Sequence, residues 1–212
     1  MKDKIVLSII IPCHNLEDYI EKCLDSILRQ NVVDIKCEII FICDSCTDNT
    51  EEKIVEKMKS SKGIDWSWQL REVNYKSPGL SRNEGMSLAR GECIWFVDGD
   101  DWLIDNEAIQ LIIDLFRNDA LIDVVRFRFD SQGYSNKAVY GTIWQYVFKK
   151  AFIKDMKFRG GLFDEDADFI QRMISRNPNL ERIYNRFYWY NFPREGSLTE
   201  RKLIEKNRED EV

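Results

Sequence analysis

The sequence predicts an α/β fold built on a mainly parallel sheet flanked by helices. Continuous apolar, β-branched runs at Leu7–Ile11, Glu38–Cys43, Cys93–Val97 and Val124–Phe129 have the character of strands buried on both faces. Segments with apolar residues at helical spacing alternate with them, the order that right-handed crossovers between parallel strands require. Polar clusters at Asn15, Asp44 and Asp98–Asp101 fall where three of these runs end. Ligands of open α/β sheets bind at the carboxyl ends of the strands, so the clusters mark the expected site.

The elements follow in order. After Leu7–Ile11 comes the turn Pro12-Cys13-His14-Asn15, then a helix over Glu17–Gln30 carrying Ile20, Leu24, Ile27 and Leu28 on one face. The strand Glu38–Cys43 leads into a polar loop, Asp44–Asp48. Asn49 or Thr50 opens the next helix, with Glu51 and Glu52 at its positive end. Trp66–Val73 reads as a third strand. Ser77-Pro78 is a helix start, a capping serine followed by a proline suited to the first turn, and Gly91 stands just past that helix's end near Arg90. Cys93–Val97 is a fourth strand, Ile109 to Phe116 a helix and Val124–Phe129 a fifth strand. The alternation weakens after about residue 131. Ile143–Met156 reads as helical with a break, Asp164–Ser175 as an acid-started helix, Tyr184–Phe192 as an aromatic strand, and the charged tail 200–212 as a frayed helix. The expected organisation is one domain over 1–199, with a binding half at 1–130, a small α+β half at 131–199, and the tail.

Composition narrows the function. The chain has 212 residues, 44% hydrophobic and 32% charged, which is globular usage rather than disorder. The net charge of −6 speaks against nucleic acid as a partner. The acid excess lies in residues 1–148, and the remainder is slightly basic. No apolar run is long enough to span a bilayer, and the stretch Ile5–Ile11 is short for a signal-peptide core, so a cytoplasmic location is expected. The six cysteines fit reduced thiols in apolar surroundings. Cys43-x-x-Cys46 has redox-motif spacing, but Cys43 ends an apolar strand and reads as core. Zinc would need more ligands than one histidine and scattered cysteines supply.

Asp98, Asp100 and Asp101 are the sharpest chemical signal. No Lys or Arg occurs between Arg90 and Arg117, while seven acids do. Two like charges about 4 Å apart repel by about 4 kcal/mol at an effective dielectric of 20. A hard divalent cation, Mg2+ or Mn2+, removes that repulsion and takes carboxylates together with substrate phosphates. The alternative is an acidic turn capping the helix near Asp105. Gly99 allows close backbone approach to a ligand. Asp44 suits a base or ribose hydroxyl, or else a turn. Arg82, beside Asn83, suits a diphosphate, or else solvent. Glu165-Asp166 opens a helix, where acids complement the dipole or one acts as a base. His14 reads as a packed loop residue. The aromatics Tyr184–Phe192 read as core or as a homodimer face. Neither a P-loop nor G-x-G-x-x-G occurs, which disfavours a Walker ATPase or a dinucleotide enzyme.

Together these pieces resemble family 2 glycosyltransferases, which have the GT-A (Rossmann-like) fold. Leu7–Asn15 with Cys23-Leu-Asp-Ser-Ile27 and Gln30 resembles their opening, Ile42–Thr50 their nucleotide loop and Gly79–Gly85 their Arg-Asn helix. Phe96–Trp102 is similar to their D-x-D segment, Phe163–Phe169 to their base segment, and Gly196–Thr199 to the segment after the last strand. The resemblance implies an inverting, metal-dependent transfer of a sugar from a nucleotide-diphosphate donor, UDP by preference, to a saccharide or lipid-linked acceptor, with peripheral contact at the inner membrane face. Pro12, Asn15, Asp44, Arg82, Asp98 and Gly99 would lie at the nucleotide sugar. Asp100, with Asp98, would hold the cation. Asp166 would be the base, with Asp101 and Glu165 behind. Ser45 and Cys46 stand where the family usually has Gly and Ser, and His14 where Tyr is commoner. The alternatives are a degenerate nucleotide-sugar-binding or partner-binding domain and a sugar nucleotidyltransferase. The latter lacks its expected Gly-rich, Lys-bearing loop.

Overall fold

A computed structural model of the chain describes residues 4–61, 66–132, 141–162 and 164–192. The expectations placed on Phe163, Gly196–Thr199 and the tail lie outside these residues. The strands are β1 (Leu7–Cys13), β2 (Cys37–Asp44), β3 (Ser67–Val73), β4 (Cys93–Phe96), β5 (Trp102–Leu103), β6 (Val124–Ser131), β7 (Tyr146–Lys149) and β8 (Leu180–Tyr190). The helices are α1 (Ile20–Leu28), α2 (Thr50–Ser60), α3 (Pro78–Leu88), α4 (Ala108–Asn118), α5 (Lys150–Ile153) and α6 (Glu165–Ile174).

The strands form one sheet in the order β3-β2-β1-β4-β7-β6-β8-β5. The block β3-β2-β1-β4 is wholly parallel, as the crossovers predict. β7 runs antiparallel to both β4 and β6, and β6 pairs in parallel with β8. The sheet is therefore mostly parallel but mixed, with helices on both faces.

The apolar strands are explained by two cores. Ile9 and Ile11 of β1 belong to one, with Ile39, Phe41, Trp95 and residues of α1 and α4. Ile10 belongs to the other, with Ile40, Ile42, Phe96, Phe148 and Phe169. Successive side chains point to opposite faces, so a strand covered on both sides has no polar half. α3 presses closely on β1: a Cβ on Gly85 would stand 2.3 Å from Ile10 Cγ2. At the far end of the strands, Glu38 is buried and accepts from Ser8 Oγ at 2.6 Å and Arg90 Nε at 2.9 Å.

Two expectations need correction. Residues 143–156 are not a broken helix but a 3-10 turn (Ile143–Gln145), then β7, then the single turn α5. A short apolar run such as Tyr146-Val-Phe fits either period, and the slot between β4 and β6 decides for strand. The aromatic strand begins earlier, at Leu180, because its parallel pairing with β6 starts at Val124↔Leu180. β5, two residues long, carries no periodic signal. No helix among the described residues is long and apolar enough to cross a membrane.

Candidate active site

β4 ends in the tight turn Asp98–Asp101, closed by Asp101 N donating to Asp98 O at 3.0 Å. Gly99 in that turn has a packing role that the sequence does not reveal. A Cβ there would meet Leu16 Cδ1 at 2.7 Å, so its missing side chain faces the start of α1 rather than a ligand. Asp98 N donates to Tyr188 Oη at 3.0 Å, which fixes the turn to β8.

Arg82 on α3 organises the carboxylates. Its Nη2 donates to Asp98 Oδ1 at 2.9 Å, and its Nη1 to Asp166 Oδ1 at 2.9 Å and Glu165 Oε1 at 3.2 Å. The guanidinium is only 4% exposed. Burial works against its charge, but Asp166, Asp98 and Glu165 outweigh that and hold its proton more tightly than usual. The absence of Lys and Arg near Asp98 in sequence is therefore made good by the fold, which supplies Asp98 with the Arg82 guanidinium and relieves part of the repulsion among the carboxylates. The neighbouring Asn83 clamps Phe158, accepting from its N and donating to its O, both at 2.8 Å. Arg82 and Asn83 together hold α3 to the approach to α6.

Asp166 stands in the first turn of α6, and its Oδ2 accepts from Ile143 N at 3.2 Å. Burial raises its pKa to about 7, with Asp98 and Glu165 adding to the effect and Arg82 opposing it. Its side chain keeps 21% exposure and so is not sealed from a reactant, with Oδ1 held by Arg82 and Oδ2 by Ile143 N. A carboxylate of that pKa, reachable and oriented by an arginine, has the attributes of a general base.

Asp101 is different. It is 1% exposed; Oδ1 accepts from Asn191 N at 2.8 Å, and Oδ2 has no hydrogen-bond partner among the described residues. Burial, Asp100 and Asp98 push its carboxyl well above the usual range. The carboxylates of Asp98, Asp100 and Asp101 are hard oxygen donors of the kind Mg2+ or Mn2+ takes, but among the described residues their oxygens are not gathered into one coordination sphere, and Tyr188 also bonds Asp101.

Asp44 fills the turn role that its residue type allows. Its Oδ1 accepts from Tyr75 N and Lys76 N, both at 2.8 Å, and Oδ2 from Ser77 N and Ser81 Oγ, both at 2.9 Å. These donors outweigh burial and hold its pKa below the usual value. The side chain fastens the tip of β2 to the start of α3. Asn15, at φ +51°, accepts from Thr47 N at 2.8 Å and so joins the first two strand-end loops. Pro12 is paired across from Ile42 one residue before the end of β1. His14 is exposed rather than packed, with Nδ1 2.7 Å from Asp44 O.

The structure thus unites Arg82, Asp98, Asp101, Glu165 and Asp166, and sets Asp44, Asn15 and Pro12 on neighbouring strand tips. Sequence reasoning missed Tyr188 and Ser81. Tyr188 reads as one aromatic among several for a core or dimer face, yet it is buried against Asp98 and Asp101. Ser81 has no signal beyond lying one residue before Arg82.

Comparison with known proteins places the chain among glycosyltransferases. The glycosyltransferase EpsJ of Bacillus subtilis (strain 168) is 40% identical over 100 residues, covering 46% of this chain and 27% of that protein. The poly(ribitol-phosphate) β-N-acetylglucosaminyltransferase TarS of Staphylococcus aureus (strain Mu50) is 36% identical over 118 residues, 54% of this chain and 20% of that protein. The matched stretch is thus a quarter or so of these curated relatives. Among solved structures, S. aureus TarS 1-349 with UDP-GlcNAc superposes with a TM-score of 0.79 at 23% identity, covering 92% of this chain and 61% of that one. Glucosyl-3-phosphoglycerate synthase of Mycobacterium tuberculosis with Mn2+, UDP and glucosyl-3-phosphoglycerate gives 0.67 at 16% identity, covering 95% and 76%. Both share the GT-A fold found here. The model of the family described as glycosyl transferase family 2 matches residues 8–177, and the chain belongs to that family.

Proposed function

We propose that this chain transfers a sugar from a nucleotide-diphosphate donor to a hydroxyl of a saccharide or lipid-linked acceptor, with inversion at the anomeric carbon. The observation that carries the reading is Asp166: a reachable carboxylate with a pKa of about 7, bridged through Arg82 to the acidic tip of β4. An inverting transfer is a single in-line displacement and needs one base. Asp166 takes the acceptor hydroxyl proton as the acceptor oxygen bonds to the anomeric carbon and the bond from that carbon to the diphosphate oxygen breaks. Arg82 holds the base in place and keeps its charge tolerable. Asp98, Asp100 and Asp101 would hold Mn2+ or Mg2+, which when bound stabilises negative charge on a departing diphosphate. Pro12, Asn15, Asp44 and Gly99 shape the strand-tip loops on which the nucleotide would rest.

A uridine donor is favoured because TarS was solved with UDP-GlcNAc and the mycobacterial synthase with UDP and Mn2+. TarS also points to polysaccharide synthesis as the setting. Hydrolysis and transfer of UDP-glucose and UDP-N-acetylglucosamine with Mn2+, in wild type and Asp166→Asn, test the reading. The expected loss in the variant is about 10²–10⁴-fold in rate with donor binding retained. Equal turnover well above background in both proteins would remove Asp166 as the base, and equal turnover at background level would leave a nucleotide-sugar-binding domain in place of an enzyme.

A further inference from the structure

The connection from β2 to α2 carries a second cluster of candidate ligands. Cys43 is buried near the end of β2, Cys46 is half-buried in the loop, and Glu51 is half-buried in the first turn of α2. The two Sγ atoms and a Glu51 carboxylate oxygen all lie within 4.8 Å of one another. In a tetrahedral zinc site with Zn–S bonds of about 2.3 Å, neighbouring ligand atoms stand about 3.8 Å apart. Closing onto an ion therefore takes rotations of about 1 Å, available to the half-buried Cys46 and Glu51 while Cys43 stays fixed in the strand. Cys13, opposite Cys43 in the β1–β2 register, shares a thiol–thiol hydrogen bond with it, and Cys46 Sγ donates to Cys13 O at 3.6 Å. All these cysteines are free. Glu51 lies among other acids, Glu72, Glu52 and Asp48, whose charge an added cation would offset.

We propose that Cys43, Cys46 and Glu51 form a binding site for a thiophilic divalent cation of the Zn2+ type. Two thiolates and one carboxylate are a borderline-soft set, which selects against Mg2+ and Mn2+, whereas the oxygens at Asp98–Asp101 select for them. Three protein ligands leave the fourth position to water. Each thiol gives its proton to the buffer, so two protons are released per ion and no oxidant is needed. The bound ion ties the end of β2 to the first turn of α2, beside Asp44 and its hold on α3. The proposal does not depend on the glycosyl-transfer reading.

The test is titration of the full chain with Co2+ as the spectroscopic probe, followed by displacement with Zn2+. The expected result is a sulfur-to-cobalt charge-transfer band saturating at one ion per chain, erased by Zn2+ and untouched by Mn2+ or Mg2+. Cys46→Ser, at a half-buried position compatible with folding, removes the band. Glu51→Gln weakens binding by about tenfold or more, a ligand counting for no less than an outer partner. Asp100→Ala leaves the band intact. A wild-type titration without the band, a band that survives in Cys46→Ser, or one that Asp100→Ala abolishes overturns the site.

Discussion

Burial lifts the Asp166 carboxyl to about 7 while Arg82, 2.9 Å away, pulls it down, and the balance sets two measurable pH dependences. As a base Asp166 must be ionised, so kcat/KM rises with pH along an acid limb. Its midpoint lies below about 7, the value Asp166 has without a cation, because a bound divalent cation adds positive charge near Asp98. Stability runs the other way. The unfolded carboxyl ionises near about 3.9 and the folded one later, so this group's contribution is full below pH about 4 and is lost as pH rises to about 7. In Asp166→Asn that decline flattens, which denaturation midpoints across this range would show. Arg82→Ala strands three carboxylates around a buried gap, and an expected loss of about 3–5 kcal/mol is read from urea unfolding. Arg82→Lys keeps the charge but cannot fork between Asp98 and Asp166, so the acid limb moves to higher pH. The residue types at 82, 98, 100 and 166 were legible in sequence. Their pairing was not, because Arg82 and Asp166 lie 84 positions apart and only the packing of α3 against α6 joins them.

Among the elements, α3 connects fold and site. Its start was legible: Ser77 caps it, accepting from Leu80 N at 3.4 Å, and Pro78 occupies the first turn. What sequence hid is the tether from Asp44, whose partners come from the loop after β3 and from Ser81. Asp44→Ala leaves several N–H donors without acceptors and is expected to cost about 3 kcal/mol, a fall in Tm of about 10 °C for a chain of this size. Because the folded Asp44 pKa is lowered, its stabilisation is present above the unfolded value and lost as pH falls through the folded one. The gap between wild type and Asp44→Ala therefore narrows in acid. Gly85→Ala would drive a methyl into Ile10, 2.3 Å from its Cγ2, and is expected to destabilise by about 1–3 kcal/mol, again by urea unfolding. The element least legible in sequence, β7, owes its state to a vacancy between two other strands rather than to its own residues.

At the scale of the molecule, the parallel block β3-β2-β1-β4 brings three loops to one edge of the sheet, and α6 closes that edge with Asp166. The placement of Asn15, Asp44 and Asp98 at strand ends was readable because buried parallel strands announce themselves as apolar runs. In the other half β6 and β8 were readable as strands, but β5, β7 and the strand order were not, since these strands are short and the order comes from pairings far apart in the chain. Central to the proposed function is that the acidic tip beside Arg82 forms a cation-dependent nucleotide-sugar site. Calorimetric titration of UDP, GDP and CMP into the chain, with Mn2+ and again with EDTA, tests it most directly. One nucleotide, UDP, is expected to bind with Mn2+, and EDTA or Asp100→Ala to abolish its binding. Binding equally strong in EDTA, or no nucleotide bound in either condition, would contradict it.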